Sequence, residues 1–83
     1  MATRGSRLAL VTARAILAEA RGEGEDAAIL YREAARGWSE WGSVVQQAYA
    51  LVGLGRCGDE EAGREGMLTF ERLRAVPFTA LAA

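Results

Sequence analysis

Three glycines, Gly53, Gly55 and Gly58, follow the spacing G-x-G-x-x-G. In dinucleotide-binding folds such glycines allow a tight turn after a strand and bring the backbone close to a pyrophosphate. That interpretation needs a strand at Ala48–Val52, whereas Ser43–Gln46 has the sequence of a helix start. Only 25 residues follow Gly58 to build the remainder of a sheet. A nucleotide-binding fragment that uses the Gly53, Gly55 and Gly58 loop therefore stays an alternative function.

The other reactive side chains offer little for catalysis. The chain has no histidine, and Cys57 is its single cysteine, so no histidine base can activate the thiol as a nucleophile. Acidic residues at Asp59, Glu60, Glu61 and Glu65 are of the kind that binds a hard cation, but acids in a first helical turn also stabilise the positive helix end. We predict a protein that is not an enzyme and that binds no cofactor and no metal.

Length and composition predict one small domain over residues 1–83, with 51% hydrophobic residues and a net charge of −1. All ten basic residues are arginines interleaved with eleven acids, so no positive stripe for nucleic acid forms. The arginines interpreted as a solvated face are Arg14, Arg21, Arg32 and Arg36. No window has the roughly 20 apolar residues that span a bilayer. The unpaired Cys57 suits a reducing compartment, so we expect a cytoplasmic protein without a membrane segment.

Hydrophobic periodicity predicts an all-α protein. Turn residues divide the chain into the helical segments Leu8–Arg21, Glu25–Trp41, Ser43–Cys57 and Glu60–Arg74, followed by a short helix at Pro77–Ala83.

The apolar residues of the predicted helices form stripes. The first helix has two neighbouring stripes, which suits a helix touched by two neighbours. One stripe contains Leu10, Ala13, Leu17 and Ala20, and the other contains Val11, Ala15 and Ala18. The second helix places on one face Ala27, Tyr31, Ala34, Trp38 and Trp41. The third helix is apolar nearly all round, so we expect it to be the most buried.

Specific residues mark the predicted helix ends. Gly22 and Gly58 stand where a left-handed residue closes a helix. Ser43–Gln46 fits a capping box, and Asp59 is expected to cap the fourth helix.

Gly63 and Gly66 lie inside the fourth helix, where each costs about 1 kcal/mol relative to alanine. A close helix contact at Gly66 would explain one of them, whereas nothing in the sequence explains Gly63.

The chain contains a weak internal repeat, which we call the internal echo: a shift of about 35 residues aligns small residues with small residues. The aligned pairs are Ala15 with Ala50, Ala18 with Gly53, Ala27 with Ala62, and Ala34 with Thr69. In the first unit, Gly22, Ala27, Tyr31 and Ala34 have the spacing G-x4-A-x3-F/Y-x2-A, so this unit resembles the second half of a tetratricopeptide repeat. The second unit departs from that pattern by having Gly66 at the aromatic position.

The resemblance implies an α-solenoid fragment of two stacked antiparallel helix pairs, with repeats at about 8–41 and 43–76. The segments Tyr49–Cys57 and Phe70–Pro77 also resemble, more loosely, the C-terminal helical tails of large bacterial ATP-binding transcriptional regulators and nucleotide cyclases. A truncated regulatory tail of such a protein is therefore a second alternative.

In tetratricopeptide repeats the first helix of each unit lines the concave side. By that resemblance, the expected groove is lined by Thr12, Ile16, Glu19, Gln47, Leu51 and Leu54. The function that follows is a scaffold that binds a protein or peptide, or a second copy of itself, because two repeats leave apolar ends uncovered.

Overall fold

The computed structural model describes residues 4–75, and every regular element within them is an α-helix. The helices are α1 (Arg4–Ala20), α2 (Gly24–Trp41), α3 (Val44–Arg56) and α4 (Glu60–Ala75). The all-α class is therefore confirmed. The predicted helix at Pro77–Ala83 lies outside the described residues. Within residues 4–75 no helix is long and apolar enough to cross a bilayer.

The helix ends follow the predicted turn residues in most places. Gly22, Gly42 and Gly58 have positive φ angles of 78°, 93° and 115°, which only glycine adopts without strain. The amide of Ala62 donates to Asp59 Oδ1 at 3.1 Å, so Asp59 caps α4 as expected. Ser43 precedes α3, but its side chain makes no capping hydrogen bond. The capping-box prediction located the helix start correctly and was wrong about the bonds.

Each helix packs mainly against the next one in the chain. Between α1 and α2, the Nε1 group of Trp38 donates to Thr12 Oγ1 at 3.0 Å, and the hydroxyl of Tyr31 donates to Glu19 Oε1 at 2.7 Å. These contacts run in opposite directions along the two helices, so α1 and α2 are antiparallel.

The core is built around alanines and one buried aromatic ring. The fully buried side chain of Tyr31 lies over the backbone of α3, where a Cβ added to Gly53 would be 2.5 Å from its ring. The predicted α2 stripe is buried except for its last member, Trp41, which is 51% exposed. Trp41 ends α2 one turn beyond Gly37, which already faces Leu8 in the second turn of α1. Little of α1 remains to cover the indole.

Helices α3 and α4 approach each other through glycines. A Cβ on Gly55 would lie 2.5 Å from the Cα of Gly63, and one on Gly66 would lie 2.8 Å from the carbonyl oxygen of Ala48. The close contact expected at Gly66 is confirmed, and Gly63 receives the same explanation. We call this contact the glycine seam.

The residues aligned by the 35-residue internal echo are similarly buried in the two helix pairs, but the two first helices do not make equivalent close contacts. Seven of the eight aligned small residues are buried, and Thr69 is half-buried. On α3, Gly55 contacts Gly63, and Val52 lies 2.9 Å from the place where a Cβ on Gly66 would be. The equivalent residues of α1 are Ala20 and Leu17, and both are exposed. The two helix pairs therefore use different faces of their first helices, and the stacking of like repeats stays a prediction.

Candidate interaction surfaces

A polar cluster connects three helices at one end of α1. Arg56 of α3 donates from Nε to Glu19 Oε2 at 2.7 Å and from Nη2 to Glu19 Oε1 at 3.0 Å. The hydroxyl of Tyr31 on α2 donates to the same carboxylate. A planar guanidinium that meets a carboxylate with two hydrogen bonds fixes the relative position of both side chains. The cluster therefore ties the ends of α1 and α3 together over the ring of Tyr31.

The cluster changes the acidity of its members. The hydrogen bonds from Arg56 and Tyr31 hold the pKa of Glu19 below its ordinary value. Burial, with the hydrogen bond to Glu19, raises the pKa of Tyr31 to about 12. The hydrogen bonds to Glu19 raise the pKa of Arg56 further above the physiological range. At neutral pH the cluster is a carboxylate, a neutral phenol and a guanidinium, so no member is poised to exchange a proton there.

The α1 half of the predicted groove is partly occupied by contacts within the chain. Thr12 accepts from Trp38 and also donates to the carbonyl oxygen of Leu8 at 2.8 Å. Glu19 belongs to the polar cluster, whereas Ile16 is exposed. Of the three predicted groove residues on α1, Ile16 alone presents a free apolar side chain.

The α3 half of the predicted groove is turned toward the core. Leu54 is 3% exposed, Leu51 packs against the buried cluster, and Gln47 is half-buried. Arg56 shows which side of α3 is next to α1, and Leu54, two residues before it, lies nearly opposite at about 100° per residue. The structure therefore does not bring Gln47, Leu51 and Leu54 to the same surface as Ile16.

The α3 residues on the side of Arg56 are Val45 and Tyr49, which precede it by eleven and seven residues, both helical spacings. Both are exposed. Sequence reasoning missed them because α3 is apolar nearly all round, and periodicity alone cannot select one face of such a helix. Although Val45 and Tyr49 leave one face of α3 open, four of its 13 residues are buried, which is the largest fraction in any of the four helices and agrees with the expectation that α3 is the most buried.

A second surface was not predicted as a site. It lies on the side of α1 and α2 where residues 4–75 place no third helix, and we call it the outer face. It consists of Leu10, Arg14, Leu17 and Arg21 on the α1 side, and Asp26, Ile29, Leu30 and Glu33 on α2. Arg21 follows the last residue of α1 but continues the helical bonding, because its amide donates to the carbonyl oxygen of Leu17 at 3.0 Å.

The outer face contains an open cleft of about 420 Å³. Its lining residues are Arg14, Leu17, Ala18, Arg21, Glu23, Asp26, Ile29 and Leu30. Leu10, Leu17 and Ile29 are 52%, 49% and 60% exposed. An apolar surface with a charged rim is typical of a binding site for another protein. The sequence signal was the α1 stripe that contains Leu10 and Leu17, because a helix with two apolar stripes is expected to have two neighbouring helices.

The charged side chains of the outer face are not paired within the described part of the chain. Within residues 4–75, no ion pair or side-chain hydrogen bond engages Arg14, Arg21, Asp26 or Glu33. Two ion pairs elsewhere in the described part of the chain join Arg56 to Glu19 and, on the other side of α2, Arg32 to Asp59 at 3.8 Å. The predicted solvated arginine face is thus divided, because Arg32 reaches the α3–α4 turn while Arg14 and Arg21 border the cleft.

Two of the glycines first considered for nucleotide binding, Gly53 and Gly55, have packing roles instead. Gly53 and Gly55 lie inside α3, so the three glycines do not form the loop that nucleotide binding would use. Burial raises the pKa of the Cys57 thiol, which disfavours the nucleophilic thiolate. Within residues 4–75 no three cysteine or acidic side chains are arranged to hold a metal ion.

Comparison of the chain with protein-family models, curated proteins and solved structures gave no match.

Proposed function

We propose that the chain is a non-catalytic protein–protein interaction module and that the outer face is its binding surface. The observation that carries this proposal is the pair of uncovered apolar side chains, Leu17 on α1 and Ile29 on α2, on either side of one cleft. Exposing two large apolar groups side by side costs about 25 cal/mol for each Å² left in water. A bound protein surface removes that cost.

The resemblances noted in the sequence agree with this proposal. Tetratricopeptide-like modules and the helical tails of bacterial transcriptional regulators bind other proteins or further repeats. A cytoplasmic location, a reduced Cys57 and a role in a regulator of that kind are part of the same proposal. Support from the structure is limited to the helical fold and the uncovered outer face.

The test uses a photoreactive amino acid at position 17, with position 68 as the matched control. Leu17 and Leu68 are both helical leucines, with exposed fractions of 49% and 47%, but Leu68 lies on α4, away from the outer face. Full-length variants are irradiated in their native cytoplasm, and crosslinked proteins are identified by mass spectrometry. We expect a defined crosslinked protein at position 17 and none at position 68. Equal crosslinking at both positions, or none at either, would refute the proposal.

A further inference from the structure

The charges of the outer face are segregated by helix. The α1 side carries the cations Arg14 and Arg21, and the side of α2 nearer α1 carries the anions Asp26 and Glu33. Arg32 and Arg36 border Ile29 and Glu33 on the side of α2 away from α1. The two cations are seven residues apart, and so are the two anions. At 1.5 Å per residue, the two cations and the two anions are therefore each separated by about 10.5 Å along their helices.

The apolar residues lie between these charges. Leu17 stands between Arg14 and Arg21, while Ile29 and Leu30 stand between Asp26 and Glu33. Because α1 and α2 are antiparallel, the ends near the α1–α2 turn carry Arg21 and Asp26, and Arg14 and Glu33 lie two turns away from it. The order along each helix is thus charge, apolar centre, charge, with opposite signs on the two helices.

This arrangement is complementary to itself. A rotation of 180° about an axis parallel to the two helices places α1 of one copy against α2 of another, antiparallel and with the turns at the same level. Arg21 then faces Asp26 of the second copy, Arg14 faces Glu33 of the second copy, and Leu17 meets the apolar centre of the facing α2.

We propose that the outer face binds a second copy of this chain, so that the α1–α2 pairs of two molecules form an antiparallel four-helix bundle. This inference rests on the proposed interaction function and names its partner. A partner with one sign of charge along its whole face would meet like charges on either α1 or α2. A second copy satisfies both helices at once, and its own Leu17 and Ile29 are covered in the same contact.

The bundle also explains the two apolar stripes of α1. The stripe that contains Ala15 and Ala18 packs against α2 within the molecule. The other stripe, with Leu10 and Leu17, has no neighbour among residues 4–75 and receives α2 of the second copy. The width of the apolar face on α1 then corresponds to two neighbouring helices, one from each molecule.

The test uses full-length chains with reversed charges. An acidic variant carries Arg14→Glu and Arg21→Glu, and a basic variant carries Asp26→Arg and Glu33→Arg. Each variant alone would bring like charges together, so we expect monomers at concentrations at which the wild-type chain sediments as a dimer. An equal mixture of the two is expected to form a heterodimer, because each acidic helix then faces a basic one.

A matched charge reversal on α4 serves as the control. The variant with Arg64→Glu and Arg72→Glu has the same change in net charge as the acidic variant and is expected to remain dimeric. Circular dichroism verifies that all variants keep their helices. If a double variant unfolds, the neutral changes Arg21→Gln and Asp26→Asn replace it. Each breaks two exposed pairs per dimer and is expected to raise the dissociation constant about 2- to 30-fold.

Several outcomes would overturn the inference. A mixture that stays monomeric would show that these charges do not pair between two copies, and double variants that remain dimeric would place the contact on another face. Dissociation constants unchanged by the neutral substitutions would do the same. A wild-type chain that is monomeric at 200 μM would exclude a second copy as the partner. In that case, crosslinking of a different protein at position 17 would leave the interaction function standing, and the absence of any crosslink would refute both.

Discussion

The glycine seam makes a quantitative prediction about the substitution Gly55→Ala. In an ordinary helix interior this change stabilises a protein by about 0.8–1.0 kcal/mol, since alanine is the better helix former. Here the added Cβ would be 2.5 Å from the Cα of Gly63 and 3.1 Å from its amide nitrogen. Carbon atoms pack at about 3.5–4.0 Å, so the two backbones have to separate by about 1 Å. Neither backbone can relieve the contact by changing a rotamer.

That separation affects the whole seam, because Gly66 holds α4 against Ala48 one turn further along. Overpacking of a tight contact costs about 1–3 kcal/mol. After the gain in helix propensity, we expect Gly55→Ala to lower the free energy of unfolding by about 1 kcal/mol. For a domain of this size, 1 kcal/mol corresponds to a fall in Tm of about 4–8 °C. Gly63→Ala is expected to cost less, because its Cβ would be 2.9 Å from the Cα of Gly55.

The assay is urea unfolding followed by far-UV circular dichroism at one protein concentration, because self-association contributes to apparent stability. Gly24→Ala is the control, since Gly24 is also helical and a Cβ there meets nothing within 4 Å. We expect the control to be as stable as the wild-type chain or more stable by up to about 1 kcal/mol. If Gly55→Ala gains as much stability as Gly24→Ala, the close approach of α3 and α4 is wrong.

Three further predictions concern the polar cluster and the α4 cap. Tyr31→Phe keeps the ring but removes its hydrogen bond to Glu19, and it is expected to lower the free energy of unfolding by about 0.5–1.5 kcal/mol in urea titration; an unchanged value would contradict the bond. The pKa of Glu19 is lowered from an ordinary 4.5, so its charged form stabilises the fold above about pH 4.5. That stabilisation is lost as the pH falls through the lowered pKa. The Tm difference between wild type and Glu19→Gln should therefore be largest near neutral pH and shrink in acid, and a pH-independent difference would refute it. Asp59→Ala removes the acceptor of the Ala62 amide and should cost about 0.5–2 kcal/mol, whereas Asp59→Asn keeps the acceptor and should cost less.

The helices could be predicted from the sequence because their signals are local. A helix end depends on residues within one turn, so Gly22, Gly58 and Asp59 were sufficient to locate the breaks. The buried stripe from Ala27 to Trp38 was also predictable, because four residues at helical spacing define one face. Trp41 was the exception. Its burial depends on whether α1 extends far enough to cover the end of α2, and the spacing of residues within α2 carries no information about the length of α1.

The polar cluster could not have been predicted in the same way. Glu19 and Arg56 are 37 residues apart, and each is an ordinary exposed charge in the sequence. Their bidentate contact exists because the ring of Tyr31 fits over Gly53 and thereby sets the distance between α1 and α3. The sequence shows the glycine and the tyrosine, but their contact depends on the relative rotation of two helices.

The sequence alone could not show which surface is free to bind a partner, for a related reason. Seven of the eight small residues that the 35-residue shift aligns are buried, since small residues are needed wherever helices approach closely. The internal echo assigned Leu51 and Leu54 to a groove by assuming that both helix pairs present equivalent faces, but α3 has to contact α2 on one side and α4 on another. Because α3 has to contact two helices, Leu54 is turned toward the core. Helix α1 has α2 as its main neighbour among residues 4–75, so Leu17 stays uncovered. The seven-residue spacing of Arg14 and Arg21 is visible in the sequence. That these arginines border a candidate binding surface could be recognised only from the structure, in which no third helix among residues 4–75 covers that side of α1.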